Sequence, residues 1–215
     1  MHPLVRLTVR GYRSIREAEV DLRPLNILIG ANGSGKSNLI SAFSFLHEIV
    51  DGQLQLYVGK AGGPDSLLYF GQKVTSEMFL KVEFERNTYE CTLVPSRGTL
   101  IFSSEECSGQ GQQFDRPFTV YLGEGHRESN LRTEAQDPSN KIARYTLDRI
   151  SGWRVYHFHD TSDSSAMKQS SEINDNIALR PDASNLAAFL FLLKERHGSH
   201  YRNIIDTIRE AAPFF

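Results

Sequence analysis

Hydrophobic and polar positions alternate at the start of the chain. Val5, Leu7 and Val9 fall on one side, and Arg6, Thr8 and Arg10 on the other, which is the period-two pattern of a half-buried strand. A second strand-like run, Ala18 to Leu22, follows a turn around Gly11 to Arg16, so a hairpin is expected first. Leu25, Ile27, Leu28 and Ile29 are apolar without alternation and predict a short strand buried on both faces. The period then changes, because Leu39, Ile40, Phe43 and Leu46 recur at helical spacing. Residues 47 to 74 pass Asp51, Gly52 and a Gly63-Pro64 breaker and predict a loop with a short structured piece. Phe79, Val82, Phe84, Tyr89, Cys91, Leu93, Leu100 and Phe102, punctuated at Asn87 and at Pro95 to Gly98, predict three antiparallel strands.

Residues 103 to 140 are rich in Ser, Gly, Gln and Glu and predict loops, with a short helix near Glu128 to Ala135. Ile142, Tyr145, Leu147 and Ile150 form a modest helical face. Trp153 to His159 predicts a buried parallel strand in which Val155, His157 and His159 share one side. A polar loop over 161 to 181 leads to Pro181 and Asp182, which open a helix with Leu186, Ala187, Phe189, Leu190 and Leu193 on its buried side, ended by Gly198. Ser199 is the expected cap of a last helix carrying Tyr201, Ile204, Ile205 and Ile208. No heptad is sustained, which argues against a long coiled-coil arm.

The chemistry lies between the predicted buried strand and the first helix. Gly30-Ala31-Asn32-Gly33-Ser34-Gly35-Lys36-Ser37 fits G-x-x-x-x-G-K-[ST] at every specified position, in the strand–loop–helix setting that this phosphate-loop (Walker A) motif demands. Glycines let the backbone curl so that successive N–H groups point at phosphate oxygens, and the helix adds its positive N-terminal end. Lys36 supplies a point charge for the terminal phosphates, and the Ser37 hydroxyl is the expected Mg²⁺ ligand. Asn32, Gly33, Ser34, Gly35 and Asn38 complete the expected nucleotide-binding stretch. ATP and Mg²⁺ are the cofactors this chemistry calls for.

Composition narrows the partners. The 215 residues leave room for one large domain or two small ones, and the formal net charge of −2 gives no global field to hold DNA or an anionic membrane. A local basic patch stays open. Cys91 and Cys107 have neither C-x-x-C spacing nor a nearby histidine pattern, as expected of free thiols in a reducing cytoplasm. With no apolar leader and no stretch near membrane-spanning length, the expectation is a soluble, cytoplasmic protein without a membrane partner.

LTVRGYRSIREAEVDLRPLNILIGANGSGKSNLISAFSFL resembles the opening of ATP-binding-cassette-type (ABC-type) ATPases of the RecF and structural-maintenance-of-chromosomes branch. The likeness is greatest to bacterial predicted AAA-type ATPases, to which VYHFHDTS and LRPDASNLAAFL are also similar. The resemblance implies an α/β fold, that of a P-loop NTPase: residues 1–160 as the core of an ABC-type N-terminal lobe with an antiparallel β subdomain, and 161–215 as the start of a helical subdomain. It implies ATP binding by paired heads, in a homodimer that sandwiches two nucleotides, with hydrolysis coupled to DNA repair, maintenance or defence. It places Arg13 and Ser14 beside the nucleotide. In that branch the strand corresponding to Trp153–His159 ends in a glutamine near Mg²⁺ and the attacking water. Here the end reads His159-Asp160-Thr161, which makes His159 the candidate catalytic residue or, alternatively, a residue that holds the following loop.

Two parts of such an ATPase have no match in the sequence, an acidic strand end and a serine-containing signature motif. The chain is therefore expected to be the N-terminal portion of a longer ATPase and to lack turnover alone. Two other functions stay open: a P-loop kinase, disfavoured by the preceding hairpin and the missing lid arginines, and a regulatory domain that binds nucleotide without turning it over.

Overall fold

A computed structural model describes residues 3–110, 117–156, 162 and 165–214. The opening alternation becomes a hairpin of β1 (Leu4–Tyr12) and β2 (Ile15–Asp21), with Leu7 opposite Val20 and Val9 opposite Ala18. β3 (Met78–Phe84), β4 (Asn87–Ser96), β5 (Thr99–Gly109) and β6 (Phe118–Gly123) extend it into a six-stranded antiparallel sheet in the order β2-β1-β3-β4-β5-β6. One face carries the buried Leu7, Val9, Leu80, Val82, Tyr89, Cys91, Leu93, Leu100 and Phe102. The other is polar, with Lys81 Nζ 3.3 Å from a Glu90 carboxylate oxygen.

Three helices cover the apolar face: α1 (Lys36–Val50), α2 (Leu54–Lys60) and, beyond the short α3 (Leu131–Glu134), α4 (Lys141–Ser151). α1 contributes Ala42, Phe45, Leu46, Ile49 and Val50, all fully buried. α4 starts where the Asn140 side chain accepts the Ala143 N–H at 3.1 Å, a side-chain N-cap. It buries Ala143, Thr146 and Ile150, so its inward stripe is rotated from the one the larger apolar residues suggest. Trp153, just beyond it, meets Phe43 edge to face at 5.3 Å between ring centroids.

Four sequence expectations are corrected here. α2 occupies part of the predicted loop at 47–74; Glu128 fixes its start, one carboxylate oxygen accepting the Leu54 N–H at 2.8 Å and the other the Gln55 N–H at 3.0 Å. The polar stretch after 103 is strand as far as Gly109, and β6 follows it. A register shift opposite Thr92 and Leu93 turns Glu105 inward, so apolar alternation breaks while the strand continues.

The third correction concerns Leu25–Ile29, which is not a buried strand. A turn in which Asn26 Oδ1 accepts the Arg23 N–H at 3.0 Å and Asn26 Nδ2 donates to the Arg23 carbonyl at 2.7 Å leads the chain off the sheet. Leu25, Ile27, Leu28 and Ile29 are then 77%, 74%, 42% and 90% exposed and join no strand. Fourth, Trp153–Tyr156 are not strand, and the rest of that predicted element, His157 to His159, lies outside the described residues.

Glu105 is fully buried and saturated with donors. Its carboxylate accepts the Tyr89 hydroxyl at 2.7 Å, the Asn130 N–H at 2.9 Å and the Ser129 hydroxyl, and it lies 2.8 Å from His126 Nε2. This network fastens the segment around 126–130, and so Glu128, to the sheet. Both cysteines are buried free thiols. Burial, and then the charge of Glu105, pushes Cys107 up to about 12 and drives Cys91 up as well.

The chain divides into two compact units, Met1–Trp153 and Arg154–Phe215. In the second, α5 (Leu186–Arg196) packs on α6 (Gly198–Ala211). α5 begins later than Pro181-Asp182 because Ala183 sits at φ 57°, outside the helical region. The Asn185 amide is also spent on the preceding loop, with Nδ2 donating to the Asp175 and Ala178 carbonyls at 2.9 and 2.8 Å. Ser199 lies inside α6 and does not cap it; His197 holds the cap position.

Candidate functional site

The site is built on the first turn of α1. Gly33 and Gly35 have φ of 82° and 91°, the left-handed region glycine enters without a Cβ penalty, and through them the backbone curls into α1. No side chain caps this helix, and its first turn holds no acidic residue. Its leading N–H groups therefore keep their hydrogen-bonding capacity and the positive end of the dipole. The Lys36 ammonium lies over the loop, donating to the Gly30 and Ala31 carbonyls, each at 2.7 Å, and to Ser34 Oγ at 3.2 Å. Asn32 and Ser37 are exposed, which leaves the Ser37 hydroxyl on the first turn of α1 accessible to an oxygen-preferring cation.

Ser14 closes one side of this arrangement. Asn38 Nδ2 donates to Ser14 Oγ at 2.6 Å, and a Cβ on Gly35 would stand 3.5 Å from the same oxygen. The turn between β1 and β2 is thus held against the phosphate loop although the two are far apart in sequence. A cavity of about 600 Å³ is lined by Ser14, Arg16, Gly30, Ser34, Gly35 and Lys36, together with the apolar Ile27 to Ile29. It is within the size range of small-ligand sites.

The turn is strained and heavily braced. Arg13 has φ 49°, a conformation that costs a residue with a Cβ on the order of 1 kcal/mol. Its N–H donates to the Leu67 carbonyl at 2.7 Å, and the Tyr69 N–H donates to the Gly11 carbonyl at 3.0 Å. At Gly11, φ 71°, a Cβ would come within 2.6 Å of the Glu77 carbonyl, so this position has no room for a side chain. Tyr12 is the anchor: fully buried, stacked on Phe45 at 5.4 Å, with its hydroxyl 3.0 Å from Ser41 Oγ, which itself donates to the Asn38 carbonyl. Burial pushes the Tyr12 hydroxyl well above the usual tyrosine value. Tyr57 of α2 accepts from Arg13 Nη2 at 3.3 Å.

The structure thus brings together Ser14, Gly33, Ser34, Gly35, Lys36 and Asn38, with Asn32 and Ser37 exposed on the same loop and first turn; Arg13 lines a neighbouring cavity with Asn38 and is not part of the lining around Lys36. His159, the candidate γ-phosphate sensor, lies outside the described residues. Sequence reasoning missed the supporting shell of Tyr12, Ser41 and Tyr57, because an aromatic residue at the end of an alternating strand looks like core. It also missed the 65–73 segment beyond Arg13, whose signal was the Gly62-Gly63-Pro64-Asp65 turn chemistry followed by Phe70-Gly71. Among the described residues no cluster of His, Cys, Asp and Glu could hold a metal ion, and no helix is long and apolar enough to cross a membrane.

A sequence profile described as an AAA ATPase domain matches residues 3–211. A DNA replication and repair protein RecF of Magnetococcus marinus is 52% identical over 44 residues, 20% of this chain and 12% of that protein. One from Edwardsiella ictaluri is 50% identical over 40 residues, 18% of this chain and 11% of that protein. The matched stretch is thus about an eighth of each relative's length, high in identity and short.

Proposed function

This chain belongs to the AAA ATPase domain family, and on that premise we propose that it binds Mg²⁺-ATP on the loop Gly30–Ser37 as one lobe of a RecF-like, ABC-type ATPase head. Lys36 and the backbone amides from Gly33 to Ser37 hold the β- and γ-phosphates. Ser37 Oγ supplies a protein oxygen to Mg²⁺, whose remaining ligands are phosphate oxygens and water. Ser14 and Asn38 flank the phosphates, and Arg13 stands beside the nucleotide. His159 enters this proposal on sequence grounds, as a group acting on the γ-phosphate.

The observation that carries the reading is the left-handed Gly33 and Gly35 leading into an uncapped helix with the Lys36 ammonium fixed over the loop. Each feature alone is common. Together they make a cradle for polyphosphate with no acidic group in its first helical turn. The name carried by the two RecF relatives supports work on DNA in the whole protein, and pairing of heads rests on the sequence resemblance alone.

Calorimetric titration with ATP and Mg²⁺ tests the reading. Wild-type chain is expected to bind, and Lys36→Ala to lose binding while keeping its unfolding midpoint, since the partly exposed Lys36 lies outside the core cluster. Equal affinity in wild type and variant overturns the proposal.

A further inference from the structure

Five polar groups from separate elements form one hydrogen-bonded chain between the Arg13 turn and the first turn of α1. Ser41 of α1 donates its hydroxyl proton to the Asn38 carbonyl at 2.9 Å. A hydroxyl carries one proton and two lone pairs, so Ser41 Oγ is the acceptor for the Tyr12 hydroxyl at 3.0 Å. Tyr12 Oη then faces Tyr57 Oη of α2 as an acceptor at 3.5 Å, and Tyr57 Oη accepts from Arg13 Nη2 at 3.3 Å. The donors thus run one way, from Arg13 through Tyr57, Tyr12 and Ser41 to the backbone of α1.

Tyr57 is the link on which Arg13 depends. The half-buried Arg13 guanidinium lies over the Tyr12 ring, 5.4 Å from its centroid, and its Nε is buried without a hydrogen-bond partner. Among the described residues the Tyr57 hydroxyl is the one hydrogen-bond acceptor for this side chain. A cation taken partly out of water is costly to leave without an acceptor. Without Tyr57 Oη the guanidinium therefore turns out toward solvent. The hydroxyl itself is firmly presented, because the Tyr57 ring packs on Phe45 with centroids 5.0 Å apart and Glu128 fixes the start of α2.

The consequence reaches the phosphate loop through the backbone. Arg13 sits at φ 49°, a conformation that persists only where its surroundings enforce it. Its neighbour Ser14 lines the cavity around Lys36 and accepts from Asn38 Nδ2 at 2.6 Å. Asn38 is accordingly held twice, by Ser41 at its carbonyl and by Ser14 at its side chain.

We infer that Tyr57 is a positioning residue for the phosphate loop: its hydroxyl holds the Arg13 guanidinium inward, and the Arg13 backbone then keeps Ser14 seated against Gly35 and Asn38. A wall fixed before the ligand arrives need not be ordered during binding, and ordering of that kind weakens affinity. The inference rests on the phosphate-loop function proposed above.

The chain, as wild type, Tyr57→Phe, Arg13→Ala and the double variant, is titrated calorimetrically with Mg²⁺-ATP and with magnesium tripolyphosphate, which has no base. Tyr57→Phe keeps the ring on Phe45 and is expected to weaken both ligands by the same factor, about threefold to tenfold, the effect of one hydrogen bond. Because Tyr57 acts through Arg13, the double variant is expected to bind no more weakly than Arg13→Ala, whereas independent support of the fold gives losses that add. Unchanged affinity in Tyr57→Phe, additive losses in the double variant, or a loss confined to ATP overturns the positioning role while the phosphate loop stands. Wild-type chain that binds neither ligand overturns both.

Discussion

β3 to β5 and the segment Leu25–Ile29 both carry large apolar residues that call for burial, alternating in the strands and nearly continuous in the segment, and they end in opposite environments. Leu80, Val82, Leu93, Leu100 and Phe102 are fully buried, whereas Ile27 and Ile29 are 74% and 90% exposed. The difference is a partner. Each of the three strands has a neighbour on both edges and helices on one face, while the turn clasped by Asn26 at Arg23 carries the second segment away from the edge strand β2. An apolar run states a need for burial, and only the arrangement of other elements meets it. The phosphate loop follows the unpaired run, so its position rests on α1 and on the Ser14–Asn38 contact.

The sharpest way to break this comparison is a matched pair of truncations. Phe102→Ala removes a fully buried ring that also stacks on His126 at 4.4 Å and is expected to cost about 3–5 kcal/mol of unfolding free energy. Ile29→Ala is expected to stay within about 0.5 kcal/mol. Urea unfolding of both variants checks this, and a comparable loss for Ile29→Ala would mean that the segment is covered in solution.

A smaller effect tests the polar side of the core. Glu105→Gln keeps the shape of the side chain but replaces one accepting oxygen with a donor facing other donors, for an expected loss of about 1–3 kcal/mol. Because Glu105 fastens the segment that carries Glu128, hydrogen exchange at the Leu54 and Gln55 amides should speed up more than exchange in β1. Uniform change across the unit would show that the network does not act on α2.

The smallest effect is a slope. Cys91 and Cys107 have pKa values raised from the ordinary 9.0 by burial, to about 12 for Cys107. A raised value in the folded state means that the contribution is fully present below about pH 9 and is lost as pH rises from there toward the folded value. Each thiol that ionises only in the unfolded chain lowers stability by about 1.4 kcal/mol per pH unit. Stability is therefore expected to fall from about pH 9 upward, and less steeply in Cys91→Ala/Cys107→Ala. Identical slopes between about pH 9 and 10 would refute the assignment.

The opening hairpin, the three strands after Met78, α1 and the phosphate-loop motif were legible because each rests on local pattern. Alternation marks a half-buried strand, and glycine, lysine and serine at fixed spacing define the motif. The extension of β5 was not legible, since an inward Glu105 breaks the alternation and its partners Tyr89, His126, Ser129 and Asn130 come from other segments. α2 was hidden for a related reason. Its start is capped by a carboxylate 74 residues away, Glu128, and no local signal announces a cap of that kind.

By itself, then, the sequence determined where the phosphate-loop motif sits and which stretches require burial, because both follow from short-range spacing. Tertiary structure decided which of those stretches obtain burial. It also decided that Arg13 and Tyr57, 44 positions apart in the numbering, are hydrogen-bonded. The physical reason is that strain at Arg13 is affordable only within a framework of long-range hydrogen bonds, and such bonds exist only once β1, α1, α2 and the 65–73 segment are assembled.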